Sequence, residues 1–263
     1  MIIVVIKFIL MRLQNSEKKN IASKPKILAI ISARAGSKRL PNKNIKNFLG
    51  KPLIAYTIEQ ALSCRLIDRV VINTESPKIA KIALKYGAEV PFLRPKHLAT
   101  DTAQEIDSIL YVVNKLKKDE NYFPTYVMIL PLVAPLREKQ DIEDCWEMMQ
   151  KTKADTVLTV SPAHARLYHL DNQQNLILAN KSGIKSSNTQ AWRPGYILNN
   201  GVFLVKTKAL LREKNDITKK TKAAIYPKWR AVDIDTAEDW VIAEILYENK
   251  EKIISRIKKL QPR

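Results

Sequence analysis

Short apolar runs alternate with longer amphipathic stretches along the chain from Lys26 onward. A short apolar run bounded by polar residues predicts a buried strand, and apolar residues recurring on one face predict a helix. Strands are predicted in this way at residues 27–31, 70–72, 90–93, 127–130, 156–160, 202–205 and 232–234. Helices are predicted to begin at or just after Pro52, Ser76, Thr102, Glu138 and Thr236. Strands separated by helices favour an α/β fold with a doubly wound, mostly parallel sheet.

Two segments depart from this alternation. Residues 1–11 are apolar apart from Lys7, but the run is too short for a membrane helix, which takes about 20 residues. We interpret residues 1–25 as an N-terminal extension, either a loose amphipathic anchor or the product of an upstream start codon, and we expect no stable membrane insertion. Residues 26–263 form the predicted globular domain. Within it, residues 162–197 are polar without a helical period, which predicts an excursion from the core that is used in self-association.

The chain is strongly basic, with 45 Lys and Arg against 26 Asp and Glu and a formal net charge of +19. Such a charge attracts anions, including nucleotides, nucleic acids, acidic sugars and membrane surfaces. Lysines scattered over solvated helix faces explain most of the excess, and residues 214–222 and 250–259 are typical of such faces. No nucleic-acid-binding motif accompanies the charge, so we expect no nucleic-acid partner.

The two cysteines, Cys64 and Cys145, lie in unrelated segments with helical patterns, and neither has a CxxC neighbour. This distribution is typical of reduced thiols in a protein core and does not indicate a disulfide framework. We therefore expect the protein to be cytoplasmic.

A basic loop follows the first predicted strand. It carries Arg34, Lys38, Arg39 and Lys43, with Gly36 among them. Ligands of open α/β sheets bind at the carboxyl ends of the strands, and a glycine lets the backbone approach an anion closely. Clustered cations suit a nucleoside triphosphate, because charge grows on the bridging oxygen as pyrophosphate leaves. The loop matches neither GxxxxGK[ST] nor GxGxxG, so it predicts a phosphate site of another kind.

A pair of carboxylates, Asp233 and Asp235, stands at the end of the last predicted strand. Their i, i+2 spacing places both side chains on one face, and Thr236 then caps the following helix. Two aspartates beside phosphates form an oxygen-rich site that suits Mg²⁺. The alternative is that they only cap and turn the chain, but the phosphate loop in the same sequence favours the metal site. Glu238 and Asp239 are interpreted as surface charges in the first turn of the helix.

The segment ARAGSKRLPNKN, residues 33–44, closely resembles the N-terminal signature of the CMP-N-acylneuraminate synthetases, the cytidylyltransferases for sialic and legionaminic acids. The resemblance extends from about residue 26 to residue 247. It implies a Rossmann-like nucleotidyltransferase fold, a homodimer, Mg²⁺ as cofactor, and CTP and an acidic nine-carbon sugar as substrates. The family's metal-binding DIDT matches Asp233 and Asp235, the predicted metal ligands. The related Kdo cytidylyltransferases lack the Lys43-Asn44 pair, which favours the sialic acid branch.

The resemblance also implies roles for individual residues. Arg34, Lys38 and Lys43 are the predicted catalytic cations, since the anomeric hydroxyl of the sugar attacks the α-phosphorus of CTP and pyrophosphate leaves. The general base stays open between a carboxylate and a metal-bound hydroxide. The candidate nucleotide-binding residues are Ala33, Arg34, Gly36, Ser37, Lys38, Lys43, Asn44 and Arg94.

The candidate sugar-binding residues are Asp101, Arg193, Asn200 and Gly201, and here the chain departs from the family. Family members often have Gln-Pro-Thr-Ser-Pro-Leu-Arg where residues 131–137 are Pro-Leu-Val-Ala-Pro-Leu-Arg. Apolar groups in place of polar ones favour an acyl or deoxy surface over a sugar hydroxyl, which predicts a legionaminic-like substrate. The family's Arg-Pro-Asn-Gly is Leu-Asn-Asn-Gly at 198–201, so its carboxylate-binding arginine is missing there. Arg193 is a candidate to take its place by another loop path.

Three alternatives remain open from the sequence. The first is an enzyme of the same fold that activates another acidic sugar, such as Kdo or pseudaminic acid. The second is a non-catalytic basic protein that binds nucleic acid or anionic membranes, which predicts steeply salt-dependent binding without preference for CTP. The third is a degenerate relative that binds the nucleotide without turnover, which the altered sugar pocket would explain.

Overall fold

A computed structural model describes residues 24–164, 167–179 and 193–260. Its strands begin with β1 (Ile27–Ser32), β2 (Asn47–Phe48), β3 (Lys51–Pro52), β4 (Arg69–Asn73) and β5 (Tyr126–Ile129). The later strands are β6 (Thr156–Ala163), β7 (Tyr168–Leu170), β8 (Leu176–Leu178), β9 (Gly195–Lys206) and β10 (Thr221–Ile225). The α-helices are α1 (Leu53–Ser63), α2 (Pro77–Lys85), α3 (Glu105–Glu120), α4 (Lys139–Lys151), α5 (Thr207–Glu213), α6 (Ala237–Glu248) and α7 (Lys250–Leu260).

The central sheet has six strands in the order β10-β6-β9-β5-β1-β4. The pairs β1–β4, β1–β5 and β10–β6 are parallel, whereas β9 is antiparallel to both β5 and β6. The prediction of a doubly wound, mostly parallel sheet is therefore confirmed, with β9 as the antiparallel exception.

Helices cover both faces of this sheet because its central strands are apolar on both sides. In β1, Ile27, Ala29 and Ile31 join a core with α1, α2, α4 and α6. The alternate residues Leu28 and Ile30 join a second core with α3 and α5. All five side chains are at most 1% exposed, as expected for a strand buried on both faces.

The order of the strands determines where a ligand can bind. The chain passes from β1 to β4 on one side of β1, and then returns to β5 on its other side. At such a reversal the loops leaving neighbouring strands separate, and a crevice opens outside their carboxyl ends. The loops that follow β1, β4 and β5 all begin at this edge, so the fold itself brings the basic loop to a crevice.

Several element predictions are wrong at the periphery. Residues 90–93 form no strand, since only Glu89 makes an isolated bridge, to Val71. Residues 232–234 form no strand, and Thr102 lies before α3, which begins at Glu105 after the N-cap Gln104. The lysine-rich stretch 214–222, expected to be a helix face, leads into the edge strand β10. The C-terminal lysines do lie on a helix, α7.

The polar stretch 162–197 contains the hairpin formed by β7 and β8, which lies outside the central sheet. Leu170 and Leu176, which pair with each other beside its turn, are 62% and 65% exposed. Residues 1–23 of the predicted extension lie outside the described residues, as do residues 165–166, 180–192 and 261–263. Across the described ranges, no helix is both long and apolar enough to cross a membrane.

Candidate active site

A cavity of about 420 Å³ opens at the carboxyl edge of β1 and β5. The loop after β1, the segment that leads into α3, the loop after β5, the middle of β9 and the segment before α6 form its walls. Ten of the candidate residues line it, namely Arg34, Ser37, Lys38, Lys43, Asn44, Arg94, Asp101, Asn200, Asp233 and Asp235. The structure thus brings together residues that are up to two hundred positions apart in the sequence.

The basic loop has a defined conformation that depends on Asn44. The Nδ2 of Asn44 donates a hydrogen bond to the carbonyl oxygen of Arg34 over 2.7 Å, which joins the two ends of the loop. Asn42 adopts a left-handed conformation at φ 56°, and a 3-10 turn, Lys43–Ile45, follows it. Lys43 and Asn44 are buried by this turn. The backbone of the loop therefore has a fixed conformation, from which the cationic side chains extend.

Two aspartates pair with the cations of this loop. Asp101 contacts Arg34 at 3.0 Å and Lys38 at 2.5 Å, and hydrogen bonding from Lys38 lowers the pKa of its carboxyl group. Asp235 contacts Arg39 at 2.6 Å and Lys43 at 3.0 Å. A triphosphate that enters the cavity therefore meets cations that are already gathered but occupied by carboxylates.

The carboxylate pair is held by groups from two segments, β9 and the basic loop. Asn200 donates a side-chain hydrogen bond to Asp233, and Lys43 donates to both Asp235 and the carbonyl oxygen of Ile234. Burial raises the pKa of Asp233, and the neighbouring charge of Asp235 adds to the rise. In the described part of the chain, no group of three or more acidic, histidine or cysteine side chains could hold a metal. Two carboxylates nevertheless fit Mg²⁺, which usually takes one or two together with waters and substrate phosphates.

Asn200 reaches Asp233 because β9 is irregular at this point. The register between β6 and β9 shifts between Leu158 and Val160, and Asn200 is left-handed at φ 50°. The preceding Asn199 is buried and accepts a hydrogen bond from the Thr159 hydroxyl over 2.7 Å. Bulges of this kind redirect side chains next to functional sites. Here the bulge is stabilised by a buried polar contact and directs Asn200 into the cavity.

Gly201 supports this bulge and does not line the cavity. A Cβ atom at Gly201 would lie 2.5 Å from Oγ1 of Thr159, which is too close for a real contact. That hydroxyl also accepts a hydrogen bond from the backbone N–H of Val202 over 2.9 Å, so it cannot move freely. Gly201 stays a predicted sugar-binding residue, and packing against Thr159 is a separate reason for a glycine at this position.

Gly201→Ala is expected to destabilise the protein by about 1–3 kcal/mol, as overpacking of a buried site does. Gly36→Ala is the matched control, because a Cβ at Gly36 meets nothing within 4 Å. Its free energy of unfolding is expected to stay within about 0.5 kcal/mol of the parent value. Denaturant unfolding of the three proteins checks this, and equal destabilisation by the two substitutions would contradict it.

Arg94 forms a buried ion pair beside the cavity. Its Nη2 contacts Oε2 of Glu75 over 2.7 Å, and Oε1 of the same carboxylate accepts the backbone N–H of Ala35 over 2.7 Å. Burial would raise the pKa of Glu75, but the hydrogen bonds from Arg94 and Ala35 hold it below its ordinary value. The pair therefore attaches the basic loop to the segment that follows β4.

Besides Gly201, three candidate residues lie apart from the cavity walls. Arg193 is exposed before β9, and it is not among the residues that line the cavity. Ala33 is fully buried, and its N–H donates to the carbonyl oxygen of Asn73 over 3.0 Å. Gly36 also lies outside the walls. The roles proposed for all of the candidate residues stay predictions.

Glu105 and Ser32 line the cavity, although the sequence pattern pointed to neither. Burial raises the pKa of Glu105, against the effect of a hydrogen bond from Ser32. In the sequence, Glu105 lies three residues after Thr102, which is the spacing of a capping box and indicates only a structural role. Its position in the first turn of the helix that leaves the crevice edge is the feature that could have identified it.

Comparison with known proteins places this chain in a family. A model of the cytidylyltransferase family matches residues 28–253. The chain belongs to the cytidylyltransferase family. A relative from Legionella pneumophila, CMP-N,N'-diacetyllegionaminic acid synthase, is 34% identical over 237 residues, which cover 87% of this chain and all of the relative. The pseudaminic acid cytidylyltransferase of Campylobacter jejuni is 32% identical over 226 residues, or 85% of this chain and 97% of the relative.

The fold of this cytidylyltransferase also has solved counterparts. One is the CMP:2-keto-3-deoxy-manno-octonic acid synthetase complexed with CTP, with a TM-score of 0.65 at 16% identity. The match covers 86% of this chain and 99% of that structure. At this level of identity the likeness concerns the fold alone, and it agrees with the doubly wound sheet described above.

Proposed function

We propose that this cytidylyltransferase transfers CMP from CTP to the anomeric hydroxyl of an acidic nine-carbon sugar of the sialic or legionaminic type, and releases pyrophosphate. The observation that carries the proposal is the single cavity in which the basic loop faces the Asp233–Asp235 pair. Cations on one wall and carboxylates on the other suit a triphosphate that binds together with a divalent metal. The legionaminic and pseudaminic acid enzymes among the relatives support the choice of sugar class.

The reaction is an in-line displacement at phosphorus. The anomeric oxygen forms a bond to the α-phosphorus, the bond from this phosphorus to the bridging oxygen breaks, and pyrophosphate leaves with the electron pair. Arg34, Lys38 and Lys43 hold the phosphates and stabilise the charge that develops as this bond breaks. The sugar hydroxyl loses its proton during the attack, and no covalent enzyme intermediate is required.

Asp233 and Asp235 are the residues that would hold Mg²⁺, and their roles rest on the chemistry of the two carboxylates. A bound Mg²⁺ supplies neutralisation of charge on the phosphate oxygens. Asn200 orients Asp233 through its side-chain hydrogen bond, and Lys43 orients Asp235 from the opposite wall. The chain's own contribution is thus to present both carboxylates to the same part of the cavity.

The sugar side of the cavity favours a substrate with an apolar periphery. Pro131, Leu132 and Val133 form its wall after β5. An apolar wall receives acyl or deoxy groups well, but it leaves a buried sugar hydroxyl without a partner. Legionaminic-type acids fit this wall better than sialic acid itself. Pseudaminic acid is the second candidate, because the Campylobacter relative that acts on it is nearly as similar as the Legionella relative.

A substrate panel tests the proposal. The full chain is mixed with CTP, Mg²⁺ and one of legionaminic, pseudaminic, sialic or Kdo acid, and pyrophosphate release is measured. We expect release to depend on both CTP and sugar, with the highest kcat/KM for the legionaminic acid. CTP without sugar is the control. Binding of CTP without release from any sugar would overturn the proposed reaction and favour a degenerate relative.

We also propose that the protein is a cytoplasmic homodimer. Apolar side chains are exposed along the β7–β8 hairpin and the beginning of β9, including Leu170, Leu176, Tyr196 and Leu198. Exposed large apolar side chains are typical of an interface, and a second copy of the chain would cover them. Sedimentation of the full chain at twice the monomer mass is the expected result. The buried, free Cys64 and Cys145 suit a reducing compartment.

A further inference from the structure

Arg137 is a fully buried arginine close to the candidate active site, with an exposed fraction of 2%. Its Nη1 and Nη2 donate to the carbonyl oxygen of Pro131 over 3.0 and 2.9 Å. Nη1 also donates to the carbonyl oxygen of Gly201 over 2.8 Å, and Nη2 donates to the hydroxyl of Thr57 over 3.0 Å. None of these hydrogen bonds, all within the described part of the chain, goes to a carboxylate.

This arrangement is costly for stability. A buried charge without an ionic partner carries a desolvation penalty, and burial lowers the pKa of Arg137 to about 10. An apolar side chain of similar volume would avoid that penalty. The planar fork of the guanidinium, in contrast, can join three separate segments at fixed angles, which no apolar side chain and no lysine can do. The contacts therefore point to a role in geometry.

One line of hydrogen bonds runs from Arg137 through the loop after β5. Arg137 fixes the carbonyl oxygen of Pro131 with both Nη atoms. Two residues further on, the carbonyl oxygen of Val133 accepts the backbone N–H of Ile234 over 2.9 Å. Ile234 lies between Asp233 and Asp235, so the position of this loop sets the position of the backbone that carries both carboxylates.

A second line runs through β9. Arg137 fixes the carbonyl oxygen of Gly201, directly after the left-handed Asn200. Asn200 donates its side-chain hydrogen bond to Asp233. The two lines approach the carboxylate pair from different strands and converge on the segment from Asp233 to Asp235.

We propose that Arg137 is a positioning residue that holds Asp233 and Asp235 in the arrangement needed for Mg²⁺ bound together with CTP. It touches neither substrate nor metal and acts through Pro131 and Gly201. The inference rests on the proposed function in one respect, since it takes the carboxylate pair as the metal site. Groups that orient metal ligands typically contribute about 10–100-fold to metal affinity.

The test compares Arg137→Lys with Arg230→Lys. Arg230 is a second buried arginine, and its guanidinium contacts Asp141 over 2.7 and 2.8 Å and the carbonyl oxygen of Leu136 over 3.2 Å. It does not line the cavity. Both variants keep the charge and lose the fork, so both are expected to lose stability. Only Arg137→Lys is expected to weaken metal binding, by about 10-fold or more.

Metal binding is measured directly, without turnover. The full chain is titrated with Mn²⁺ in the presence of CTP and without sugar, and free Mn²⁺ is followed by its electron paramagnetic resonance signal. The same variants are titrated with CTP in the absence of metal, where we expect affinities within about twofold of the parent, since the phosphate loop is not in contact with Arg137. This readout holds even if the sugar panel identifies no substrate.

Thr57→Val is a milder variant for the case that Arg137→Lys fails to fold. It removes one hydrogen bond of the fork while leaving Pro131 and Gly201 in contact, so we expect a two- to threefold weaker Mn²⁺ affinity. Folding of each protein is checked by circular dichroism. Folded Arg137→Lys or Thr57→Val with the parent's Mn²⁺ affinity would overturn the proposal. So would equal weakening in Arg230→Lys, or a parent chain that binds no Mn²⁺ beside CTP.

Discussion

Asp235→Ala is expected to lower kcat by about 10³-fold while the melting temperature stays close to that of the parent. The carboxylate of Asp235 lines the cavity and is one of two that would hold the metal. Loss of metal-assisted charge stabilisation removes several kcal/mol from the transition state, and about 4 kcal/mol corresponds to three orders of magnitude in rate. The side chain is 39% exposed, and without it Lys43 keeps its hydrogen bond to the carbonyl oxygen of Ile234, so the expected loss of stability is small.

Pyrophosphate release at saturating CTP and sugar measures this effect, with thermal unfolding in parallel. Glu238→Ala is the matched control, because Glu238 is exposed in the first turn of α6 and lies outside the cavity walls. It is expected to keep activity within about twofold of the parent. An Asp235→Ala protein that turns over as fast as Glu238→Ala would remove the metal assignment.

Lys43→Met is expected to lower kcat/KM for CTP by about 10²–10³-fold, the effect typical for loss of one donor to a developing anion. Lys43 is the most enclosed cation of the basic loop, with a side chain 11% exposed. It also donates to the carbonyl oxygen of Ile234, so its ammonium group is aligned with the carboxylate pair. Methionine keeps the volume of the side chain and removes the charge.

Calorimetric titration with CTP and steady-state kinetics measure the loss. Lys46→Met is the matched control, because Lys46 is exposed three residues later and lies over the ring of Trp240 at 5.7 Å from its centroid. It carries the same charge change without facing the cavity. Equal CTP affinity in the two variants would show that net charge, and not the position of Lys43, governs binding.

The centre of the fold was predictable from the sequence because local patterns determine it. The apolar run at 27–31 is β1, the amphipathic stretch after Pro52 is α1, and Thr236 caps α6 with a capping box. In each case the burial of one run or one face is sufficient to define the element. The basic loop could be placed at a crevice for the same reason, since its position after a buried strand fixes the edge at which it lies.

The edges of the fold depend on pairing between distant residues, which no local pattern contains. The stretch Thr221–Ile225 is largely exposed but becomes a strand because its backbone pairs with β6. Conversely, Val232 and Ile234 are apolar, but residues 232–234 make no strand, because the hydrogen bond from Ile234 to Val133 is an isolated one. In both cases backbone pairing determines whether a strand forms, and the polarity of the side chains predicts the wrong element.

The site shows the same division. The cations and carboxylates of the site can be predicted from residue type and spacing. The contacts that hold them in place cannot be predicted in this way. Gly201 is a predicted sugar-binding residue by resemblance, but the packing reason for a glycine there, its closeness to Thr159 across β6 and β9, is visible only in the structure. Arg137 lies in a Pro-Leu-Arg segment that the family shares. The positioning role proposed for it depends on its hydrogen bonds to the carbonyl groups of Pro131 and Gly201. Such roles appear only once the strands are in register.

The pairing of Asp101 with Arg34 and Lys38 has a consequence for the energetics of nucleotide binding. Asp101 forms exposed ion pairs with both cations, so they already have an anionic partner. A nucleotide that binds them would exchange one anion for another. The salt dependence of CTP affinity accordingly follows the charge difference between a triphosphate and the carboxylates that it displaces, and not the net charge of +19.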